Sequence, residues 1–305
     1  MLGIDVGGTK IELAIFNENV ELIESWRVST PKNDYEQFLQ TITQMVADAD
    51  EKLSKKETVG IGIPGFVDRS GRAISANVPC ITGRIPSLDL PKRIDRPVAT
   101  DSDTKNFVYS EANGGAGAGY RHVLGLILGT GLSGNFSIGG VLSRGANSQA
   151  GEYGHLSLPT LLGREYDFPL LECGCGKVGC AEKYLSGPGL LWMSRFFGGH
   201  YNSVVDLMED QQKAGSSAAV AFSAYIDCLG AFLAHMTLIL DPDVIVLGGG
   251  LSNIPQIYQE LPESMERHLV AGFGVPDIVA PLYGDSSGVR GAAMLGRQCR
   301  DNQID

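Results

Sequence analysis

Two stretches far apart in the chain repeat one pattern: GIDVGGTKIELAIF, from Gly3 to Phe16, and HVLGLILGTGLSGNFSIGGVL, from His122 to Leu142. Each reads as an apolar strand, a glycine-bearing turn and a second strand. A repeat of this kind predicts two related halves, each presenting its glycine turn to a shared cleft. The 305 residues, 43% hydrophobic and 19% charged with 40 glycines, suffice for two domains. The glycine-rich run Asn113 to Gly119 is read as the boundary. The expected division is a small α/β domain of residues 1–113 plus 288–305 and a large α/β domain of residues 114–287.

Strands and helices alternate along the chain, which implies an α/β fold. LGID, IELAIF and VELIESWRV form an antiparallel meander. A helix follows, with Asn33 as candidate N-cap and Glu36 three residues on, and an apolar face of Phe38, Ile42, Met45, Val46, Ala49 and Leu53. The buried strand VGIGI stops at Pro64 and Gly65, and a further strand from Val98 to Asp103 leads into another helix. Later come a long apolar helix from Ser216 to Leu240, strand VIVLGGG, a helix from Pro255 to His268, strand DIVAPL and a last helix near Gly288 to Arg297.

A net charge of -11 and a pI near 4.9 disfavour broad affinity for nucleic acid or anionic membrane, which need clustered Lys and Arg. MLGIDVGGTK lacks the basic segment and apolar run of a signal peptide. No apolar run reaches the ~18 residues of a membrane span; even Leu229 to Gly248 is broken by His235, Asp241 and Asp243. A cytoplasmic location is expected. In that reducing compartment Cys173, Cys175 and Cys180 are better metal ligands than disulfide partners, and Cys80, Cys228 and Cys299 read as small core residues.

Three motifs carry chemistry. In Asp5-Val6-Gly7-Gly8-Thr9-Lys10 the glycines let backbone amides approach a phosphate, Thr9 adds a hydroxyl and Lys10 a positive charge. An ordinary hairpin turn would also favour Gly-Gly, but Gly129-Thr130-Gly131 and Gly248-Gly249-Gly250 repeat the device after apolar strands. Neither the Walker A spacing nor GxGxxG after a strand is present. In ECGCGKVGCAEKY, Cys173, Cys175 and Cys180 supply three soft ligands, and His155 in Gly151-Glu152-Tyr153-Gly154-His155 is the best fourth. A closed Cys3His set leaves no position for water, so the metal expected is a structural Zn²⁺. Finally, Asp101-Ser102-Asp103-Thr104-Lys105-Asn106 follows the strand PVAT. A carboxylate there could serve as a base, or the Asp-Ser pair could simply cap a helix.

With DVGGTK, GIGIPG, SANVP, GLILGTG, GEYGH, CGCGKVGCAEKYLSG and VLGGGLSN in order, the chain resembles the ROK sugar kinases, within the actin and hexokinase superfamily, and is nearest in motif to bacterial N-acetylglucosamine kinases. The resemblance implies an actin/hexokinase-like, ribonuclease-H-like fold with ATP and sugar in the interdomain cleft. It implies transfer of the γ-phosphoryl group of ATP, with Mg²⁺, to the 6-hydroxyl of N-acetyl-D-glucosamine or another hexose, with Asp103 as the base. By motif, Asp5, Gly7, Gly8, Thr9, Lys10, Gly129, Thr130 and Gly131 flank the phosphates, and Gly248, Gly249, Gly250 and Leu251 lie against the nucleoside. Gly65, Asn77, Ser102, Glu152, His155 and Glu182 would contact the sugar, with zinc fixing the His155 ring. The implied partner is a small-molecule hexose or N-acetylhexosamine, with no nucleic acid, no membrane and a homodimer left open.

Two departures from the family pattern stand out. Where the family has Asn-Asp-Ala-Asn this chain has Ser102-Asp103-Thr104-Lys105, so Ser102 lacks an amide that both donates and accepts. Lys105 would either lie close enough to lower the basicity of Asp103 or point to solvent. After the Gly-Thr-Gly turn stand Leu132, Ser133, Gly134 and Asn135 in place of several glycines. A positive φ at Ser133 or Asn135 would cost about 1 kcal/mol. The competing readings are another hexose or N-acetylmannosamine as acceptor, a sugar-binding protein with impaired catalysis, and a sugar-responsive regulator. The last would carry a helix-turn-helix ahead of the first glycine turn.

Overall fold

The computed structural model of the protein describes residues 1–302. The chain forms two compact units, the first made of Met1–Ala118, Gly140–Ala150 and the chain from Asp285, the second of Gly119–Gly139 and Gly151–Gly284.

The first unit opens with β1 (Leu2–Val6), β2 (Lys10–Phe16) and β3 (Leu22–Ser29), an antiparallel meander. Next comes α1 (Tyr35–Leu53), which buries the expected face of Phe38, Ile42, Met45, Val46 and Ala49 together with Leu39. Its cap is Asp34, not Asn33, because it is the Asp34 carboxylate that accepts the Gln37 amide, at 3.0 Å. After β4 (Val59–Ile63) come the small ribbon β5 (Phe66–Val67) and β6 (Ala73–Ile74), the single turns α2 (Pro86–Asp89) and α3 (Pro91–Ile94), then β7 (Val98–Ser102) and α4 (Asp103–Ala112). The sheet order is β3-β2-β1-β4-β7, with β1, β4 and β7 mutually parallel.

The second unit repeats that plan with β8 (His122–Leu128) and β9 (Leu132–Ile138), an antiparallel hairpin. The chain then contributes β10 (Val141–Leu142) to the first unit and returns through α5 (Thr160–Glu165), α6 (Glu182–Leu185), α7 (Gly187–Phe196), α8 (Val204–Gln211) and α9 (Ser217–Leu240). It continues with β11 (Val244–Gly248), α10 (Pro255–His268) and β12 (Asp277–Val279). Within this unit the order β9-β8-β11-β12 again sets a hairpin beside two parallel strands. The recurring strand-turn-strand pattern is therefore a recurring topology.

α9 is capped by the Ser216 hydroxyl, which accepts from the Ala219 amide. By length and composition it could cross a membrane, yet most of it is buried within the protein. It is the core helix of its unit, packed with Phe222, Tyr225, Leu229 and Phe232 against α7, α8 and α10.

α11 (Ser287–Asn302) brings the chain back to the first unit and lies on β1 and β4. Two glycines permit that approach: a Cβ on Gly60 would fall 1.8 Å from the Ala292 carbonyl oxygen, and one on Gly3 would fall 2.0 Å from that of Val289. Gly60→Ala must push strand and helix apart, at a cost typical of overpacking, about 1–3 kcal/mol. Thermal unfolding should show a melting temperature lower by about 2–10 °C; an unchanged melting curve would refute this account of the packing.

Candidate active site and metal centre

The parallel strands β1, β4 and β7 end side by side, and their register aligns Asp5 with Gly62 and Gly62 with Asp101. Side chains following the carboxyl ends of such strands face the usual ligand position of an α/β sheet. Beyond β1 the chain turns through Gly7, Gly8 and Thr9, and the Gly7 amide donates to the Lys10 carbonyl at 2.9 Å. The Thr30 hydroxyl steadies the turn by donating to the Gly7 carbonyl at 2.7 Å. Asn77 stands against it, since a Cβ on Gly8 would be 3.2 Å from the Asn77 Cβ. Gly65, at φ +96°, could not carry a side chain, because its Cβ would fall 2.1 Å from the Ile74 carbonyl oxygen.

A cavity of about 300 Å³ beside this turn is lined by Asp5, Lys10, Glu12, Arg27 and Asp285. Sequence reasoning found Asp5 and Lys10 but missed Glu12, Arg27 and Asp285. Hairpin register could have found Glu12, which is the cross-strand partner of Asp5. Arg27 donates to Glu12 at 2.9 Å. Asp5 keeps some solvent-accessible surface, yet protein crowds its carboxyl. Burial above all, then the negative charges of Asp103 and Glu12, raise its pKa to about 7, with Arg27 pulling the other way. The clustered oxygen donors of Asp5, Glu12 and Asp285 fit a divalent cation such as Mg²⁺, whose charge would relieve the crowding of Asp5.

Asp103 is the first residue of α4, and its Oδ1 accepts from the Thr104 amide at 2.7 Å. Ser102 is the cap, its Oγ accepting from the Lys105 amide at 3.2 Å. The cap of this segment is therefore Ser102, and Asp103 is not needed for it. Lys105 does not point to solvent. Its ammonium is buried, 3.1 Å from Asp101 Oδ1, and donates to the Ser148 carbonyl at 2.6 Å.

In the second unit the Gly129 amide donates to the Gly131 carbonyl at 3.0 Å, and the Gly187 amide donates to the Gly129 carbonyl at 2.8 Å, tying the turn to the start of α7. Gly249 has φ +80°, and a Cβ there would meet the Leu128 carbonyl oxygen at 2.6 Å, so the third glycine turn packs on the second. Together they border a cavity of about 730 Å³. Gly129, Thr130, Gly250 and Leu251 line it, whereas Gly131, Gly248 and Gly249 do not. Pro188, Leu191, Val205 and Met208 from α7 and α8 complete an apolar wall that no motif announced. Ser133 and Asn135 lie within β9 and neither has a positive φ, so the expected strain is absent.

His155, Cys173, Cys175 and Cys180 converge, with their donor atoms all within 4.8 Å of one another. Cys173 Sγ lies 3.7 Å from His155 Nδ1, and Cys175 Sγ lies 3.6 Å from Cys180 Sγ. Tetrahedral zinc with bonds of about 2.0–2.3 Å requires ligand separations of about 3.5–3.8 Å, so the set fits. Gly176 and Gly179, at φ +86° and +74°, bend the loop, and the Cys173 amide donates to the Lys177 carbonyl at 2.8 Å. Burial pushes the Cys173 thiol up to about 12 and raises that of Cys180, whereas a backbone hydrogen bond from Lys177 lowers Cys175. Around the cluster, Glu182 Oε1 is 2.9 Å from Cys173 Sγ and Glu152 Oε2 is 3.9 Å from His155 Nε2. A Cβ on Gly131 would lie 3.2 Å from Glu182 Oε2, so Glu182 touches both the glycine turn and the cysteine cluster.

The ROK family model matches residues 1–299. The chain is 42% identical over 294 residues to N-acetylgalactosamine kinase AgaK of Shewanella sp. (strain ANA-3), covering 96% of each chain. It is 41% identical over 298 residues to the N-acetyl-D-glucosamine kinase of Yersinia pseudotuberculosis serotype IB (strain PB1/+), covering 96% of this chain and 97% of the other. Among solved structures, a ROK family glucokinase from Streptomyces griseus in complex with glucose and AMPPNP superposes with a TM-score of 0.80 at 28% identity, covering 98% of this chain and 99% of that one.

The raised pKa of Asp5 makes a prediction about stability. Between the ordinary carboxylate range and about pH 7 the folded state holds a proton that the unfolded state has released. Unfolding therefore becomes easier as pH rises through that window. Asp5→Asn should flatten this dependence and raise the melting temperature at pH 7.5, measured without metal or ligand. An equally steep fall from pH 4.5 to pH 7.5 in the variant would contradict it.

Proposed function

This chain belongs to the ROK family, and on that premise we propose that it phosphorylates N-acetyl-D-glucosamine at the 6-hydroxyl with MgATP, giving N-acetyl-D-glucosamine 6-phosphate and ADP. The observation that carries the reading is its near full-length similarity to N-acetyl-D-glucosamine kinases, at 41% and 40% identity. The arrangement around Asp103 supplies the chemistry. Phosphoryl transfer is catalysed mostly by positioning and charge stabilisation. Asp103, at the start of α4, orients the acceptor hydroxyl and takes its proton as the O–P bond forms.

Asp5, with Glu12 and Asp285 on the same cavity, would hold Mg²⁺, which when bound would supply positive charge against the phosphates. The amides of Gly7, Gly8 and Thr9, with Lys10, and those of Gly129 to Gly131 receive the phosphates. The apolar cavity bordered by Gly250 and Leu251 takes the nucleoside. Gly65, Asn77, Ser102, Glu152, His155 and Glu182 are assigned to the sugar. His155, whose Nδ1 faces Cys173 Sγ, would with Cys173, Cys175 and Cys180 hold a structural zinc, and the ring so held would present Nε2 in a fixed direction. A second acceptor, N-acetylgalactosamine, is favoured by the 42% identity to a kinase named for it; glucose is a third, on the strength of the glucokinase structure.

ADP production with MgATP should be measured against N-acetylglucosamine, N-acetylgalactosamine, N-acetylmannosamine, glucose and fructose, alongside calorimetric sugar binding. Turnover strongest on N-acetylglucosamine is expected; binding without ADP formation would mean a sugar-binding protein. Asp103→Asn should lower kcat by about 10²–10⁴-fold while sugar binding stays close to that of the unaltered chain, and substantial turnover in the variant would remove Asp103 from the role. Cys175→Ser should lose zinc and melt earlier; stoichiometric zinc with an unchanged melting curve would overturn the ligand set.

A further inference from the structure

We infer that Asp101, Lys105 and Arg144 act together as a positioning device for Asp103, holding the strand-to-helix turn on which the base stands. The inference rests on the base assignment above. Asp101 is 2% exposed and is the penultimate residue of β7, just ahead of Ser102. Its Oδ1 accepts from the Ser102 amide at 2.9 Å and from the Lys105 ammonium at 3.1 Å, and its Oδ2 accepts from the Arg144 guanidinium at 2.8 Å. Lys105, 3% exposed, reaches back from the first turn of α4 and also donates to the Ser148 carbonyl at 2.6 Å. The Ser102 hydroxyl accepts from the Lys105 amide, closing the turn from the other side. One carboxylate thus ties the residue before Asp103 to one two places after it, and ties both to the Gly140–Ala150 segment.

A buried ion pair is a poor device for stability alone, because desolvation of the two charges offsets their attraction and an apolar pair of similar volume often serves as well. What such a pair adds is direction. Both charged groups have fixed partners, so the backbone between them has little freedom. An error of about 1 Å in the placement of a catalytic group can cost about 10²-fold in rate, which is the scale on which such a device would matter.

The test compares Lys105→Met, the double variant Asp101→Asn/Lys105→Met, and Lys105→Arg. Lys105→Met leaves a buried carboxylate without its ammonium and should melt early. The double variant removes both buried charges and should recover the melting temperature. If the device positions Asp103, kcat in the double variant stays low, by about 10²-fold, with sugar and nucleotide binding near those of the unaltered chain, and Lys105→Arg restores part of kcat. Amide hydrogen exchange at Thr104 and Lys105 should be faster in the double variant. Recovery of kcat together with melting temperature, or unchanged exchange at those amides, would overturn the inference. The exchange measurement does not need turnover: an unaltered chain that phosphorylates no sugar would refute the proposed function, and exchange would still decide the positioning role.

Discussion

The crowding of Asp5 by Asp103 is the interaction on which the first unit's site depends. Burial and a neighbouring negative charge both oppose ionisation of Asp5. A fold bears that cost where a cation or a reaction uses it. The three parallel strands bring it about: β1 ends near Asp5, β7 delivers Asp103, and Gly62 on β4 between them has no side chain to intervene. A Cβ on Gly62 would lie 3.2 Å from Asp5 Oδ1 and 2.8 Å from Asn106 Nδ2. Two carboxylates and a glycine turn therefore meet at the strand ends because the sheet is parallel there and its central strand is smooth.

The second unit repeats the plan with different side chains. Its hairpin turn is backed by a second glycine turn and by the start of α7, and the cavity that results is walled mainly by apolar residues, unlike the carboxylate-lined cavity of the first unit. The cysteine loop stands apart from both turns in chemistry but touches one of them through Glu182. A metal held there would fix the His155 ring and the Glu182 carboxylate together, so a structural ion would act on recognition through the orientation of its ligands.

Much of this was legible in the sequence. The repeat of strand, glycine turn and strand anticipated two sheets of like topology, and the Cys3His cluster followed from spacing alone, since three cysteines among loop glycines have few other uses. Other features were not. Asn33 and Asp34 are equally good caps, and only the position of the Gln37 amide separates them. The walls of the large cavity are ordinary apolar residues of α7 and α8, with no pattern that distinguishes a pocket lining from a core. Local spacing leaves a solvent-facing Lys105 open because it says nothing of Ser148, and Gly140–Ala150 carries no mark of its attachment to the first unit.

The most direct test of the central claim is to identify the product. The protein would be incubated with MgATP and N-acetylglucosamine, and phosphorus and carbon NMR spectra of the sugar recorded. The account predicts a phosphomonoester coupled to carbon 6 and one ADP formed for each ester. A phosphate on any other carbon, or ADP without phosphosugar, would contradict it.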